Sequence, residues 1–100
     1  MDTFIALADP TRRSIILSLA AGEHSFGDLA DKFEMSRPAV SQHLKVLRDA
    51  GVVTVRPDAQ RRIYSLSDGG LDEIDGWLRK VQEFWSPRLD KLEQTLAETD

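Results

Sequence analysis

The stretch MSRPAVSQHLKVLRDAGVVTVRPDAQRRIYSL, residues 35–66, decides the fold of this chain. Its first half predicts a helix over residues 36–50, with Pro38 in the first turn, where a missing N–H costs no hydrogen bond. Its second half predicts two strands, in the β-branched run VVTVRP and the alternating run RRIYSL, with a turn at Pro57-Asp58-Ala59-Gln60 that begins at the last residue of the first run. We therefore expect a capped helix followed at once by a basic β-hairpin.

The predicted helix has one apolar and one polar face. At about 100° per residue, Val40, Leu44 and Leu47 fall within about 40° of one another and form the core face. The opposite face, near the helix N-terminus, carries side chains that suit base edges and phosphates. A solvated helix that contacts nothing is the alternative, but the neighbouring elements make it less attractive. The predicted DNA-reading residues are Ser36, Arg37, Pro38, Ser41, Gln42 and Lys45.

Three shorter helices are predicted before this one. The first covers residues 2–8, and the second begins at Pro10 with Asp9 as its N-cap and stops at Gly22. The third, FGDLADKF, follows a Ser25 cap and has apolar residues at helical spacing. A short helix, a turn and an amphipathic helix together form the pattern of a helix-turn-helix.

The hairpin carries basic residues around its turn, and we interpret it as a wing that lies on the DNA backbone or enters the minor groove. An edge hairpin protected from aggregation by its charges is the alternative, and Tyr64 is interpreted as a core residue. The predicted wing contacts are Arg56, Gln60, Arg61 and Arg62.

Three residues outside these two elements are further candidates for phosphate contacts: Ser25, Arg12 and His43. Each has a structural alternative. Ser25 can cap a helix, and His43 lies at the boundary of the core face. Arg12 and its neighbour Arg13 can form ion pairs with the acidic C-terminal helix.

Residues 71–98 form the last predicted element, a long helix with apolar residues spaced by three and four. The apolar stripe is too long for a domain of this size to cover, so we expect dimerisation. Pro87 predicts a kink or a break. The aromatic residues also leave open a pocket for an unknown small molecule or a contact face for a partner protein. The expected interface residues are Phe4, Leu7, Leu71, Ile74, Trp77, Leu78, Val81, Trp85, Leu89 and Leu92.

Composition limits the remaining function classes. The 100 residues suit a single domain, residues 1–100, and the absence of cysteine excludes disulfides and thiolate metal sites. The net charge of -4 conceals a basic region, because six basic and only two acidic residues lie between residues 36 and 62. Lacking a signal peptide and a membrane-length apolar run, the chain is expected in the cytoplasm. No phosphate loop or nucleophile–base pair suggests an enzyme.

Three segments of this chain, in the order in which they occur, resemble the ArsR/SmtB family of winged-helix transcriptional repressors. They are LADPTRRSII, FGDLADKFEMSRPAVSQHLKVLRDAGVV and RRIYSL. The similarity covers roughly residues 4–66 and is greatest to the branch of small autorepressors without metal sites. It implies a mainly α fold with a small β-hairpin (α+β), in the order α-α-α-α-β-β-α. It also implies a homodimer joined by terminal helices, bound to a pseudo-palindromic operator in double-stranded DNA. A winged-helix interaction module that does not read DNA is the alternative.

Metal sensing, for which the family is known, has little support in this sequence. The resemblance implies that sensors hold metal with paired cysteines near the recognition helix or with a His/Asp cluster on the last helix. This chain has no cysteine, and its two histidines, His24 and His43, both precede the last helix. Asp72, Glu73 and Asp75 suit a solvated first turn that complements the helix dipole. We expect no metal and no other cofactor.

Overall fold

Eight elements build the part of the chain that the structure, a computed structural model, describes: residues 2–98, without the side chains of Leu89, Asp90 and Glu98. Helices make up most of it, and the strands form one small sheet. The elements in chain order are α1 (Thr3–Leu7), α2 (Pro10–Ala20), β1 (His24–Ser25), α3 (Phe26–Asp31), α4 (Arg37–Asp49), β2 (Val53–Asp58), β3 (Arg61–Leu66) and α5 (Asp68–Glu98).

Side-chain caps fix where the short helices begin. Asp9, Ser25 and Ser36 each have an extended backbone, and their side-chain oxygens accept hydrogen bonds from N–H groups in the following turn. A cap of this kind satisfies donors that have no partner within the helix and contributes about 1 kcal/mol. The predicted starts of α2, α3 and α4 are therefore confirmed.

The core lies between α2, α4 and the sheet. The predicted core face of α4, Val40, Leu44 and Leu47, is completely buried. Ile15 of α2 meets these residues in the same cluster, and Tyr64 of β3 is buried there too, which confirms its interpretation as a core residue. Burying each large aliphatic side chain contributes about 1.5–3 kcal/mol, so this cluster fixes α4 against the rest of the domain.

The β2–β3 hairpin is longer and tighter than the sequence predicted. The strands stay paired from Val53↔Leu66 to Asp58↔Arg61, leaving a turn of only two residues. The predicted four-residue turn is therefore wrong. Ala59 adopts a φ of 56°, in the left-handed region that two-residue hairpin turns require. Because Ala59 adopts this conformation, the strands stay paired up to Asp58 and Arg61. The hydrophobic pattern of the sequence does not report on backbone conformation and could not predict it.

A third strand, β1, was missed by the sequence analysis. It pairs antiparallel with β3 through His24↔Tyr64 and Ser25↔Ile63, so the sheet order is β1-β3-β2. Two residues are too few to show the alternation by which a strand is recognised. The pairing places the start of α3 directly beside the hairpin.

The last helix, α5, begins earlier than predicted and continues through Pro87. The helix starts at Asp68 rather than at about residue 71, and the predicted break at Pro87 is absent, whereas a kink at Pro87 stays a prediction. A Cβ on Gly70 would lie 2.6 Å from the carbonyl oxygen of Gly51, so the glycine allows the first turn to pack on the end of α4. Pro87 removes one backbone donor, and its φ is compatible with a helix.

The described part of the chain is elongated, with extents of 62 × 26 × 21 Å and a radius of gyration of 18.2 Å. A compact domain of 100 residues has a radius of about 13 Å. The difference arises because much of α5 projects beyond the body. The helix is anchored near its start, where Phe4 of α1 meets Trp77 edge to face with ring centroids 5.5 Å apart. Within residues 2–98, no helix combines the length and apolar character that crossing a membrane would require.

Candidate nucleic-acid interface

The outer face of α4 is open to solvent. All six residues predicted to read DNA are exposed: Ser36, Arg37, Pro38, Ser41, Gln42 and Lys45. Because the opposite face packs into the core, these side chains are carried on a rigid helix. The hydroxyl oxygen of Ser36 accepts a hydrogen bond from the Ala39 N–H at 3.3 Å, so this residue also starts the helix.

A cleft of about 500 Å³ joins the start of α4 to the hairpin. Arginine guanidinium groups, serine hydroxyls and an amide surround it, and such donors suit phosphate oxygens and base edges. Phe26 and Gly27 line it from the start of α3. The cleft is lined by Ser25, Phe26, Gly27, Arg37, Ser41, Gln60, Arg61 and Arg62. The structure thus brings residues predicted for the helix and for the wing to one concave surface.

Ser25 is a structural cap at the edge of this cleft. Its hydroxyl oxygen accepts a hydrogen bond from the Asp28 N–H at 3.2 Å, and the residue is buried. A hydroxyl that accepts one bond still has its own proton to donate. Capping is therefore confirmed, and a phosphate contact by Ser25 stays a prediction.

Arg12 and Arg13 bind the end of α1. The Nε of Arg12 donates to the Ala6 carbonyl at 2.6 Å, and a guanidinium nitrogen of Arg13 donates to the Leu7 carbonyl at 2.9 Å. Neither forms a salt bridge within the described residues, so the predicted ion pairs with α5 are wrong. The unpaired carbonyls at the end of α1 are nearer acceptors.

His43 lies on α4 behind the reading face. It is half-buried, and its Nδ1 lies 3.4 Å from a guanidinium nitrogen of Arg12. Through this contact, Arg12 connects α1 and α2 with the recognition helix. A phosphate contact by either residue stays a prediction.

Hydrogen bonds at the start of α2 stabilise the Asp9 carboxylate. The Arg12 backbone N–H donates to it at 3.1 Å and has the largest effect, lowering the pKa of Asp9 below its usual 3.8. Desolvation opposes this shift, whereas the Thr11 N–H and coulombic interactions with His43 and Arg12 support the lower pKa. Because hydrogen bonds to a carboxylate favour its charged form, Asp9 caps α2 as an anion.

Three arginines on the candidate interface are paired with carboxylates. The Arg56–Glu23, Arg61–Asp58 and Arg37–Asp31 pairs have N···O distances of 3.2, 3.0 and 3.7 Å, respectively. All six side chains are about half exposed or more, so the pairs contribute little to stability. Only the Asp58–Arg61 spacing was readable from the sequence, because Glu23 lies far from Arg56 along the chain. The sequence analysis predicted none of the three pairs.

The comparisons with known proteins agree with this geometry. Residues 9–55 match the family described as bacterial regulatory protein, arsR family. HTH-type transcriptional regulator Rv2034 of Mycobacterium tuberculosis is 44% identical over 91 residues, which are 91% of this chain and 82% of that protein. Transcriptional repressor SdpR of Bacillus subtilis is 36% identical over 77 residues, 77% of this chain and 86% of its own.

A solved structure extends the comparison to three dimensions. It is described as a possible transcriptional regulator for arsenical resistance, and it superposes with a TM-score of 0.76 at 40% identity. The superposition covers 92% of this chain and 93% of that one. This chain belongs to the arsR family.

Membership in the arsR family confirms the fold and the general function predicted from the sequence. The chain is a winged helix-turn-helix transcriptional regulator, in which α3 and α4 form the helix-turn-helix and the β2–β3 hairpin is the wing. The names of the relatives indicate regulatory proteins rather than enzymes. These names do not favour the alternative, an interaction module that does not bind DNA.

The residues predicted for a dimer interface form an apolar stripe along α1 and α5 of this arsR-family member. Leu7, Leu71, Ile74 and Val81 are half-buried, whereas Phe4, Trp77, Leu78, Trp85 and Leu92 are exposed by 37–54%. The predicted contact of Leu89 concerns a side chain outside the described residues. Phe84 and Leu96, exposed by 57% and 63%, also lie on α5 but are outside the list of expected interface residues. Their aromatic and aliphatic character was the available signal.

Metal binding by this arsR-family chain receives no support from side-chain placement. Among the described residues, no group of three or more His, Asp or Glu side chains is placed to hold an ion. The Nε2 of His24 lies 3.4 Å from the Lys32 ammonium nitrogen, and a cation at that position disfavours a second one. The expectation that no metal is bound stays a prediction.

Proposed function

We propose that this chain is a homodimeric repressor that binds a pseudo-palindromic operator in double-stranded DNA. The observation that carries the proposal is the shared cleft, where Arg37 and Ser41 of α4 face Arg61 and Arg62 of the wing. A duplex seated there meets the N-terminal half of α4 in its major groove and the wing on the adjacent backbone or minor groove. The relatives named as repressors support the direction of regulation.

Each side chain of the reading face has a distinct chemical role in this proposal. Arg37 donates two hydrogen bonds to guanine, Gln42 pairs with adenine, and Ser41 adapts to either. Lys45 neutralises a phosphate as a point charge. Of the wing residues, Arg62 and Gln60 contact the sugar-phosphate backbone, which fixes orientation without reading sequence.

The uncovered apolar surface of α5 supports the proposed dimerisation. A symmetric pair buries the stripe that one chain leaves exposed and presents two copies of α4 to one face of the duplex. Their centres must then lie about 34–36 Å apart, one helical turn of DNA. A dimer bound at a promoter represses by preventing transcription initiation. The proposed place of action is the cytoplasm, where the regulator must reach chromosomal DNA.

An effector is proposed to act on α5. The helix exposes Trp77, Phe84 and Trp85, and aromatic side chains offer a large contact area to an apolar ligand or a partner protein. The effector proposed here is a small molecule or a protein rather than a metal. Binding on α5 would regulate DNA affinity through the dimer.

The proposal is tested by selecting bound duplexes from a random library and sequencing them. We expect one enriched motif with two inverted halves spaced by about one helical turn, bound saturably and less tightly as salt increases. Footprinting on the chain's own upstream region then locates the operator. Random sequences without enrichment, together with binding that is insensitive to salt, would contradict the proposal.

A further inference from the structure

We propose that Glu23, Asp31 and Asp58 limit the affinity of this regulator for DNA by competing with phosphates for its arginines. The inference rests on the proposed function and adds a role for acidic residues that face the duplex. These carboxylates come from different parts of the fold: Glu23 from the segment before β1, Asp31 from the end of α3 and Asp58 from β2. What they share is that each forms an ion pair with an arginine of the candidate interface.

The paired arginines occupy both halves of the interface. Arg37 lies at the start of α4, whereas Arg56 and Arg61 lie on opposite strands of the wing. Two of them, Arg37 and Arg61, line the cleft. The distances of 3.0 and 3.2 Å in the wing pairs permit charge-assisted hydrogen bonds. The pair at α4 is looser, at 3.7 Å.

Competition arises because a guanidinium uses the same N–H donors for carboxylates and phosphates. DNA must either displace the carboxylate or approach while it stays close and repels the backbone. Both routes subtract from the free energy gained on phosphate contact. Because the pairs are exposed and screened, each subtraction is modest. Arg37 meets a base edge at a matched site and phosphates in a random duplex, so the competition lowers the affinity for both kinds of DNA.

Two neighbouring arginines of the wing allow a direct comparison of a paired with an unpaired guanidinium. Arg61 and Arg62 are neighbours and both line the cleft, but only Arg61 has a carboxylate within 4.0 Å in the described part of the chain. Phosphate contact by Arg62 therefore breaks no existing pair. We expect Arg62→Ala to weaken DNA binding about two- to fivefold more than Arg61→Ala does.

The experiment measures binding of the full chain to two duplexes, one of random sequence and one obtained by selection. The variants are Glu23→Gln, Asp31→Asn and Asp58→Asn, singly and combined. Each single variant should raise the affinity for both duplexes about two- to fivefold at 0.15 M salt, and the triple variant by about tenfold or more. The plot of log affinity against log salt should steepen by up to about 0.9 per carboxylate removed.

The matched control is Asp75→Asn, which removes an equivalent pair with Arg79 at 2.9 Å on α5 and the same unit of charge. It should leave DNA affinity unchanged. A second control repeats Glu23→Gln in an Arg56→Ala background, where most of the gain should disappear, because the competing arginine is absent and only direct repulsion of the DNA backbone remains. A gain that persists in full there would overturn the mechanism.

Two negative results separate the proposals. If the unmodified chain shows no salt-sensitive binding to any duplex, the proposed function fails and this inference fails with it. If the unmodified chain binds and the triple variant binds no more tightly, only this inference is overturned. Weaker binding by the triple variant would also overturn it and would mean that the carboxylates orient the arginines for DNA.

Discussion

At the scale of single residues, the side chains of α4 that stabilise the fold are different from those proposed to recognise DNA. Leu44 and Leu47 face the core with no exposed surface, whereas Gln42 and Lys45 face solvent. A helix has 3.6 residues per turn, so residues that are close in sequence can serve opposite faces. Substitutions on the outer face should therefore change DNA binding without unfolding the domain.

Gln42→Ala provides a test at this scale. An amide placed on an adenine edge contributes about 1–3 kcal/mol of discrimination, so the variant should lose preference at one position of each half-site and retain its affinity for random duplex. Selection and sequencing with the variant measures this change. Gln82→Ala, which removes an exposed amide from α5, is the control. An unchanged motif would show that Gln42 does not read a base.

The sequence predicted which residues of α4 are buried, but it did not predict which side chains form ion pairs and hydrogen bonds with each other. The wheel positions of Val40, Leu44 and Leu47 decided which face of α4 is buried, and the structure agrees. The contact between Arg56 and Glu23 joins residues brought together only by the fold. For the same reason, the binding of Arg12 to the end of α1 could not be predicted from its sequence neighbours.

At the scale of elements, local chemistry at the caps was readable. Asp9 followed by Pro10 starts α2 as predicted, because the carboxylate and the fixed proline φ both favour a first helical turn. The two-residue β1 and the early start of α5 depended on tertiary contacts instead. Gly69 and Gly70 have low helix propensity, yet packing at Gly70 includes them in the helix.

The Asp9 cap predicts a pH-dependent stability. Its folded-state pKa lies below 3.8, so the anion stabilises the fold above that pH, and the contribution is lost as the pH falls through the folded-state pKa. Asp9→Asn retains a cap without the charge. The melting temperature of the unmodified chain should exceed that of the variant at neutral pH, and the difference should shrink below pH 3.8.

The control for this measurement is Ser36→Asn, which replaces one uncharged cap by another. Its difference in melting temperature from the unmodified chain should stay constant across the same pH range. An Asp9→Asn difference that is equally constant would contradict the role assigned to the charge.

The wing predicts a sequence-independent effect. Arg61→Ala combined with Arg62→Ala should weaken binding to selected and random duplexes by the same factor, because backbone contacts carry no sequence information. The salt dependence should become shallower by about one to two in slope. Binding titrations at several salt concentrations measure both. Full affinity of the double variant at raised salt would rule out the hairpin as a DNA contact.

At the scale of the whole molecule, α5 and its apolar stripe dominate the shape. An extent of 62 Å for a chain of this size leaves large side chains such as Leu78 and Trp85 uncovered. Stable protein interfaces bury about 800 Å² per partner, and a stripe along α1 and α5 offers surface of the required kind. The uncovered stripe could be predicted from the periodicity of the sequence alone, because the repeated apolar positions extend over a longer helix than one small core can cover.

Leu78→Asp should convert the proposed dimer to a monomer. A charge buried within an apolar interface has no partner and costs more than the interface can offset. Sedimentation measures the oligomeric state, and binding to a palindromic duplex should fall much more than binding to a single half-site. Lys80→Asp, at an exposed polar position of the same helix, is the control. A Leu78→Asp chain that still sediments as a dimer would place the interface elsewhere.

The close approach of Gly70 to Gly51 joins the start of α5 to the segment that follows α4. With 31 residues rising about 1.5 Å each, the helix is a lever of about 46 Å. A tilt of roughly 10° at its origin therefore moves the far end by about 8 Å. Gly51 follows the C-cap of α4, so a tilt of α5 at its origin would act directly on the segment that joins the recognition helix to the wing.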